Sequence, residues 1–157
     1  MSTFSLRIDG LDQLKANIAK GGAEVKREVK KAMSESTSNV MIKARELAHH
    51  KTGNLQRSIQ NRVENDGLTG IVYQDTDMAS YGPGLEFGTS PHDIVPVRKM
   101  VLADRKAGII FGKLVHHPGN KPYPFMAPAL KNKKEFIKTR FHQATDNIVK
   151  IMANKSI

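Results

Sequence analysis

The residue pattern predicts an α+β chain: a small antiparallel sheet of about four to five strands packed against two long helices, one N-terminal and one C-terminal. Three observations carry this. Apolar residues recur at steps of three and four in two long stretches, one toward each end of the chain. Between them lie short runs with strand patterning, separated by Asp-Gly and other turn signals. Strands grouped in one block, rather than alternating with helices, give an antiparallel sheet with the helices segregated to one face. A chain of 157 residues is of one-domain length, so residues 1–157 are read as a single domain.

The elements follow in order. Phe4, Leu6 and Ile8 alternate with Ser5, Arg7 and Asp9, a half-buried strand over 3–9 that Gly10 ends. Leu11, Leu14 and Ile18 start a helical face, with Asp12 near the positive end of the helix dipole. Val25, Val29, Ala32, Ser36, Val40, Ala44 and Leu47 continue it, so a long helix spans about 11–49, with a break near 21–22 at Gly21-Gly22. Ala32, Ser36 and Ala44 let a neighbour approach closely, while Lys26, Arg27, Lys30, Lys31 and Lys43 lie on the far side. From residue 23 onward this helix would run about 40 Å, long for such a chain, so part of it is expected to pack on another subunit.

Thr52-Gly53-Asn54-Leu55 reads as a turn opening a short helix, with Thr52 or Asn54 as the cap. The β-block covers 59–117. Residues 59–65 and 68–74 flank Asp66-Gly67, a two-residue hairpin signal, with Val63, Ile71 and Tyr73 facing inward. Residues 78–87 are a short helix or an irregular turn, limited by Gly82-Pro83-Gly84. Residues 94–102 and 108–115 form a second hairpin with its tip at 104–107. Residues 116–124 contain three prolines and read as a loop. Tip and loop offer few apolar side chains against the entropy of ordering a backbone, so both are expected to be mobile until docked. Ala129, Leu130, Phe136, Ile137, Phe141, Ala144, Ile148 and Met152 stripe a last helix over 126–154.

Charge is strong and uneven. Twenty-five Lys and Arg face fifteen Asp and Glu, a net charge of +10, and residues 101–157 alone hold eleven basic against three acidic side chains. Such a field favours polyanions. Arg105, Lys106, Lys113, Lys121, Lys131, Lys134 and Lys138 are the candidates to face one. The absence of Cys excludes disulfide frameworks, thiolate metal sites and Cys nucleophiles. No secretion signal is visible at the N-terminus, and no apolar run is long enough to span a membrane.

Catalytic and ligand motifs are missing. The six histidines, at 49, 50, 92, 116, 117 and 142, contain no i, i+4 pair and no HExxH, and adjacent histidines point apart. They read as surface residues at element ends, with no metal and no cofactor. There is no GxSxG, no P-loop and no GxGxxG. Glu86, between Leu85 and Phe87, reads as a partly buried carboxylate that receives a salt bridge or backbone amides where the chain turns. A hydrolase built on Glu86 or the His117 region is a distant alternative, so no enzyme is expected.

Three passages carry a resemblance: Lys51-Thr52-Gly53-Asn54-Leu55-Gln56-Arg57-Ser58-Ile59, then Tyr81 with Leu85-Glu86-Phe87-Gly88-Thr89, then Pro122-Tyr123-Pro124-Phe125-Met126-Ala127-Pro128-Ala129-Leu130. In this order, between two long helices, they resemble the gene-product-ten family of tailed bacteriophages, small neck or tail-component proteins related in role to tail completion and head–tail joining proteins. The strand pair between Ile94 and His117 is long and insertion-like beside that pattern. The resemblance implies a virion structural protein at the head–tail junction or proximal tail, made in the host cytoplasm. It would assemble as a sixfold or twelvefold ring and dock to the head connector, tail terminator or tail tube, with possible non-specific contact with packaged DNA and no membrane. Thr52, Gly53, Leu55, Tyr81, Glu86, Phe87, Pro124 and Phe125 become its interface candidates. The alternative from another class is a basic DNA-binding accessory protein.

Overall fold

The computed structural model describes residues 3–5, 11–96, 101–104 and 108–155, with side-chain burial from residue 22 onward. In chain order the elements are β1 (Thr3–Ser5), α1 (Leu11–Leu47), α2 (Asn54–Ser58), β2 (Ile59–Glu64), a 3₁₀ turn (Asn65–Gly67), β3 (Thr69–Gln74), α3 (Gly82–Phe87), β4 (His92–Ile94), β5 (Leu102–Asp104), β6 (Ile109–Gly112), β7 (Val115–His117) and α4 (Met126–Lys155). They fall into two compact units, Met1–Gly82 with Pro124–Ile157, and Pro83–Tyr123. Residues 6–9 of the expected first strand, and 105–107 of the hairpin tip, lie outside the described residues.

The first unit is helix on helix on sheet. Gly22 adopts φ 72°, ψ −164° and interrupts α1, a conformation that glycine reaches without steric cost. Beyond it Val25, Val29, Ala32, Ser36, Val40 and Ala44 of the anticipated face are buried, Leu47 is half-buried, and Met33 is buried without having been anticipated. Most of this face is covered within the chain: α1 packs chiefly on α4 and also on β2 and β3. The small residues that suggested a neighbouring subunit therefore serve intrachain packing. On α4, Ala129, Ile137, Ala144 and Ile148 are buried, and Val25, Val29 and Ile148 form one cluster.

A buried cation joins the two helices. Arg140 donates from Nε to the Glu35 carboxylate and from Nη2 to Glu28 Oε1 at 3.2 Å. Asn147 Nδ2 donates to the same Glu28 oxygen at 3.1 Å. Burial pushes the Glu28 carboxyl up, but the bonds from Asn147 and Arg140 outweigh it and hold the group below its usual range. Burial likewise opposes charge on Arg140, and the two carboxylates overcome it, raising its pKa.

The sheet against these helices has three strands in the order β1-β3-β2, all antiparallel. Gly70 lets β3 lie on α1. A Cβ built there would sit 2.4 Å from Thr37 Cγ2 and 2.6 Å from Met33 Sδ, closer than any real contact. Asn61 Nδ2 donates to Thr37 Oγ1 at 3.0 Å and fastens β2 to the same turn of helix. The β2–β3 loop is longer than the two residues expected. Asn65 and Asp66 both take positive φ, and the ladder closes at Glu64 opposite Thr69. Asn and Asp tolerate that region better than other side chains.

The second unit is a nested β arm above α3. Thr89 bridges Asn120; β4 then pairs with β7, and β5 with β6, each antiparallel. The α+β class and two long helices stand as expected, but one sheet of four to five strands does not form. Three strands lie on the helices, and the others pair two by two. Residues 97–100 of the expected strand 94–102 lie outside the described residues, and the expected strand 108–115 divides at Gly112, which turns with φ 94°.

Candidate assembly surfaces

The Thr-Gly turn is built as a fold determinant. Gly53 sits at the N-cap of α2 with φ 76°, and no side chain caps the helix, so neither Thr52 nor Asn54 has the expected role. Asn54 Oδ1 instead accepts from Arg57 Nη2. Leu55 is buried, Ser58 Oγ donates to Leu55 O at 2.7 Å, and Ile59 is fully enclosed. Arg45 caps the Ile59 carbonyl from Nε and Nη2 at 3.0 and 2.7 Å, and Gln56 Nε2 returns a bond to Arg45 O at 3.0 Å. These bonds fix the end of α1, α2 and the start of β2 as one corner.

The third motif works similarly. Phe125 is the largest fully buried side chain of the described residues. It enters just before α4, whose Pro128 lies in the first turn, where the missing N–H costs no helical bond. Leu55 and Phe125 are therefore packing residues, closed to a partner in this fold. Glu86 is buried as well. Thr52, Tyr81, Phe87 and Pro124 are exposed, so they are the interface candidates that a partner can reach.

The turn after β3 is a preorganised platform. Gln74, buried, donates from Nε2 to Ser58 Oγ at 3.2 Å and to Ala79 O at 2.8 Å. The Asp77 amide donates to Asp75 Oδ1 at 2.9 Å. This holds Met78 and Tyr81 outward, about half exposed.

The arm carries a larger apolar surface. Ile109, Ile110 and Phe111 follow one another on β6, with Ile110 73% exposed, and Leu114 and Val101 are exposed beside them. A run of three apolar residues without alternation was the available signal of a strand uncovered on both faces, and strand patterning alone misses it. The loop after β7 is held more firmly than its composition suggests. Thr89 and Asn120 exchange backbone bonds at 3.0 Å, and the Tyr123 amide donates to Leu85 O at 2.6 Å.

The basic candidates divide by position. Lys131, Lys134 and Lys138 share one exposed face of α4, with Lys138 Nζ 2.9 Å from Glu135 Oε1. Lys113 and Lys121 are exposed in the second unit, and Arg105 and Lys106 lie outside the described residues. His92 and His117 stack across β4 and β7 with ring centroids 5.0 Å apart, and His116 Nδ1 contacts Asp93 Oδ1. Among the described residues no three His, Asp or Glu side chains are grouped as ligands for a metal ion, and no helix is long and apolar enough to cross a membrane.

The geometry defines a helix-on-sheet fold with an exposed turn after β3, an exposed apolar strand β6 and an exposed basic face on α4. Residues 12–88, just under half of the chain, match the family model described as "Bacteriophage HK97-gp10, putative tail-component", and this stretch resembles gene-product-ten-like phage tail components. The match takes in the Thr-Gly turn and the Glu-Phe-Gly segment and stops before the β arm and α4. No curated protein and no solved structure matches the chain.

Proposed function

We propose that this protein is a virion structural and assembly component of a tailed phage, acting at the head–tail junction or the proximal tail. It oligomerises as a ring of sixfold or twelvefold order and docks to the head connector, tail terminator or tail tube. Its work is binding rather than catalysis. The observation that carries this is the tail-component family match over 12–88. The exposed apolar strand of the arm supports it, because a two-stranded ladder with both faces in water is marginal alone and gains from a partner. The test is a virion reconstruction together with deletion of the gene. The expected result is ring density in the neck or upper tail, and unjoined heads and tails in the deletion. One or two copies off the axis would sink the ring.

A second reading rests on the Lys131, Lys134 and Lys138 face of α4, which is suited to packaged DNA in a channel or to a DNA-binding accessory role. Duplex DNA binding should then weaken steeply with salt, and Glu at all three positions should flatten the slope by about three phosphate contacts. An unchanged salt slope would assign these lysines to solubility.

A further inference from the structure

Several cations of the described residues are matched by carboxylates of the same chain. Arg140 bonds Glu28 and Glu35, Arg62 bonds Glu64, and Lys43 and Lys138 bond Glu46 and Glu135. Arg45 and Arg57 differ. Arg45 is held by the Ile59 carbonyl, and Arg57 by Asn54 Oδ1 and the Thr52 carbonyl, all of them neutral oxygens. Both guanidiniums line one open cleft of about 720 Å³ where the end of α1 meets α2, together with Ile42, His50 and Gly53. A Cβ built on Gly53 would stand 3.1 Å from Arg57 Nη1 and 3.8 Å from His50 Nε2, so these two nitrogens converge above the glycine. Glu46 also lines the cleft, but Lys43 Nζ bonds it at 2.9 Å and, with Lys133, holds its carboxyl below the usual range. The charge of two fixed arginines therefore stays uncancelled, and Ile42, half exposed, adds an apolar wall. Every lining residue belongs to the first unit.

We infer that this cleft captures a carboxylate side chain, flanked by an apolar residue, on an extended segment of a neighbouring virion protein. This rests on the assembly function proposed above and names the chemistry of the partner at one contact. A guanidinium presents its N–H groups as a fork that fits a carboxylate with two bonds. Among the described residues Arg57 bonds only through Nη2, and Arg45 only through Nε and Nη2, so donors remain for a ligand. The neutral tethers fix both groups before a ligand arrives, and little side-chain freedom is lost on binding. A phosphate backbone would meet the same cations but would leave Ile42 in water, which favours a protein segment over nucleic acid.

The probe is a capped peptide, Gly-Leu-Glu-Leu-Gly, set against its Gln counterpart and titrated into the intact chain while backbone amides are followed by NMR. The Glu peptide should move the Gly53, Gln56 and Arg57 amides and bind at least about fivefold more tightly than the Gln peptide, as charge-assisted bonds outweigh neutral ones. Arg57→Gln, confirmed to be folded by circular dichroism, should remove that preference. Arg57→Lys should keep only part of it, because lysine lacks the fork. Equal affinity for the two peptides, or shifts confined to the lysines of α4, would overturn the inference. Dimethyl phosphate, with one charge like the Glu peptide, would assign the cleft to nucleic acid and overturn it if it bound the same amides more tightly. Sedimentation of the unaltered chain reads assembly separately. Assembly without peptide preference defeats the cleft alone, and peptide preference in a chain that forms no ring supports the cleft while counting against the ring.

Discussion

Replacing Arg140 with Met tests whether the α1–α4 interface depends on its buried cation. The side chain is 10% exposed and bonds Glu28, 15% exposed, and Glu35, 41% exposed. Methionine keeps the stem volume and removes both charge-assisted bonds, each worth about 1.5–3 kcal/mol. Glu35 can turn to water, so its share is largely recovered. Glu28 keeps only Asn147 and loses its counter-ion. Relief of the arginine's own desolvation offsets part of the loss, so about 2–3 kcal/mol is expected, below the ~3–5 for breaking a fully buried pair. For a chain of this size that lowers Tm by about 4–12 °C. Thermal and urea unfolding followed by circular dichroism measure it.

The cycle with Glu28→Gln separates pairing from packing. Arg140→Met should cost at least about 1 kcal/mol less in that background, since contacting partners are not additive. The pH dependence has a definite sign. Glu28 lies below its ordinary 4.5 in the fold, so its contribution is present above the unfolded value and is lost as pH falls through the folded one. The gap between wild type and variant should therefore narrow in acid. A loss under about 0.5 kcal/mol, strict additivity or a gap that widens in acid would refute the argument, given what such pairs contribute.

Gly70→Ala should cost about 1–3 kcal/mol or more, because its Cβ meets Thr37 and Met33 and β3 must lift from α1; wild-type stability in urea would contradict the packing. Ser36→Ala should be neutral or stabilising by up to about 1 kcal/mol, because Ser36 Oγ is buried beside a cavity of about 30 Å³ with no hydrogen-bond partner among the described residues, and a Tm drop of several degrees would reveal one. The amides of Thr89, Asn120 and Tyr123 should exchange slowly in the isolated chain, and exchange as fast as an open loop would restore the expectation that 116–124 moves until docked.

The long helices were legible because each buries a stripe whose period repeats over many turns, so Val25 through Ala44 on α1 and Ala129, Ile137, Ala144 and Ile148 on α4 declared themselves, while Phe136, expected on the same stripe, is exposed. The Asp66-Gly67 turn was legible from chemistry local to it. What could not be read depended on residues far apart in sequence. Nothing near Arg140 in sequence marks it as a buried ion-pair partner, because Glu28 and Glu35 are more than a hundred positions away. Gln74 looked like a strand end until Ser58 and Ala79 closed around it. Membership of a motif and exposure at the surface are separate properties. Leu55 and Phe125 belong to recognisable passages because the corner and the start of α4 need them for packing, whereas Tyr81 and Phe87, in the passage between those two, face outward.

Large apolar exposure on the first unit is scattered on the helices, at Ile42, Phe136 and Val149, and otherwise confined to Met78 and Tyr81 on one turn, while on the arm Ile109, Ile110 and Phe111 are consecutive. Scattered exposure needs no partner, but a contiguous patch on a ladder of two strands does. On the proposed function, stability and assembly should be separable in this chain. Substitutions at Arg140 or Gly70 should act on unfolding, and substitutions at Ile110 or Lys113 should leave unfolding nearly unchanged and act on association. The family match includes Gly70 but neither Arg140 nor the second set: it ends at residue 88, before β4. A helix-on-sheet corner can persist among tail components that meet different neighbours if the outward hairpin, which the core does not need, carries the choice of neighbour. Exchange of the 92–117 hairpin between two such proteins should then transfer docking preference and leave each fold intact.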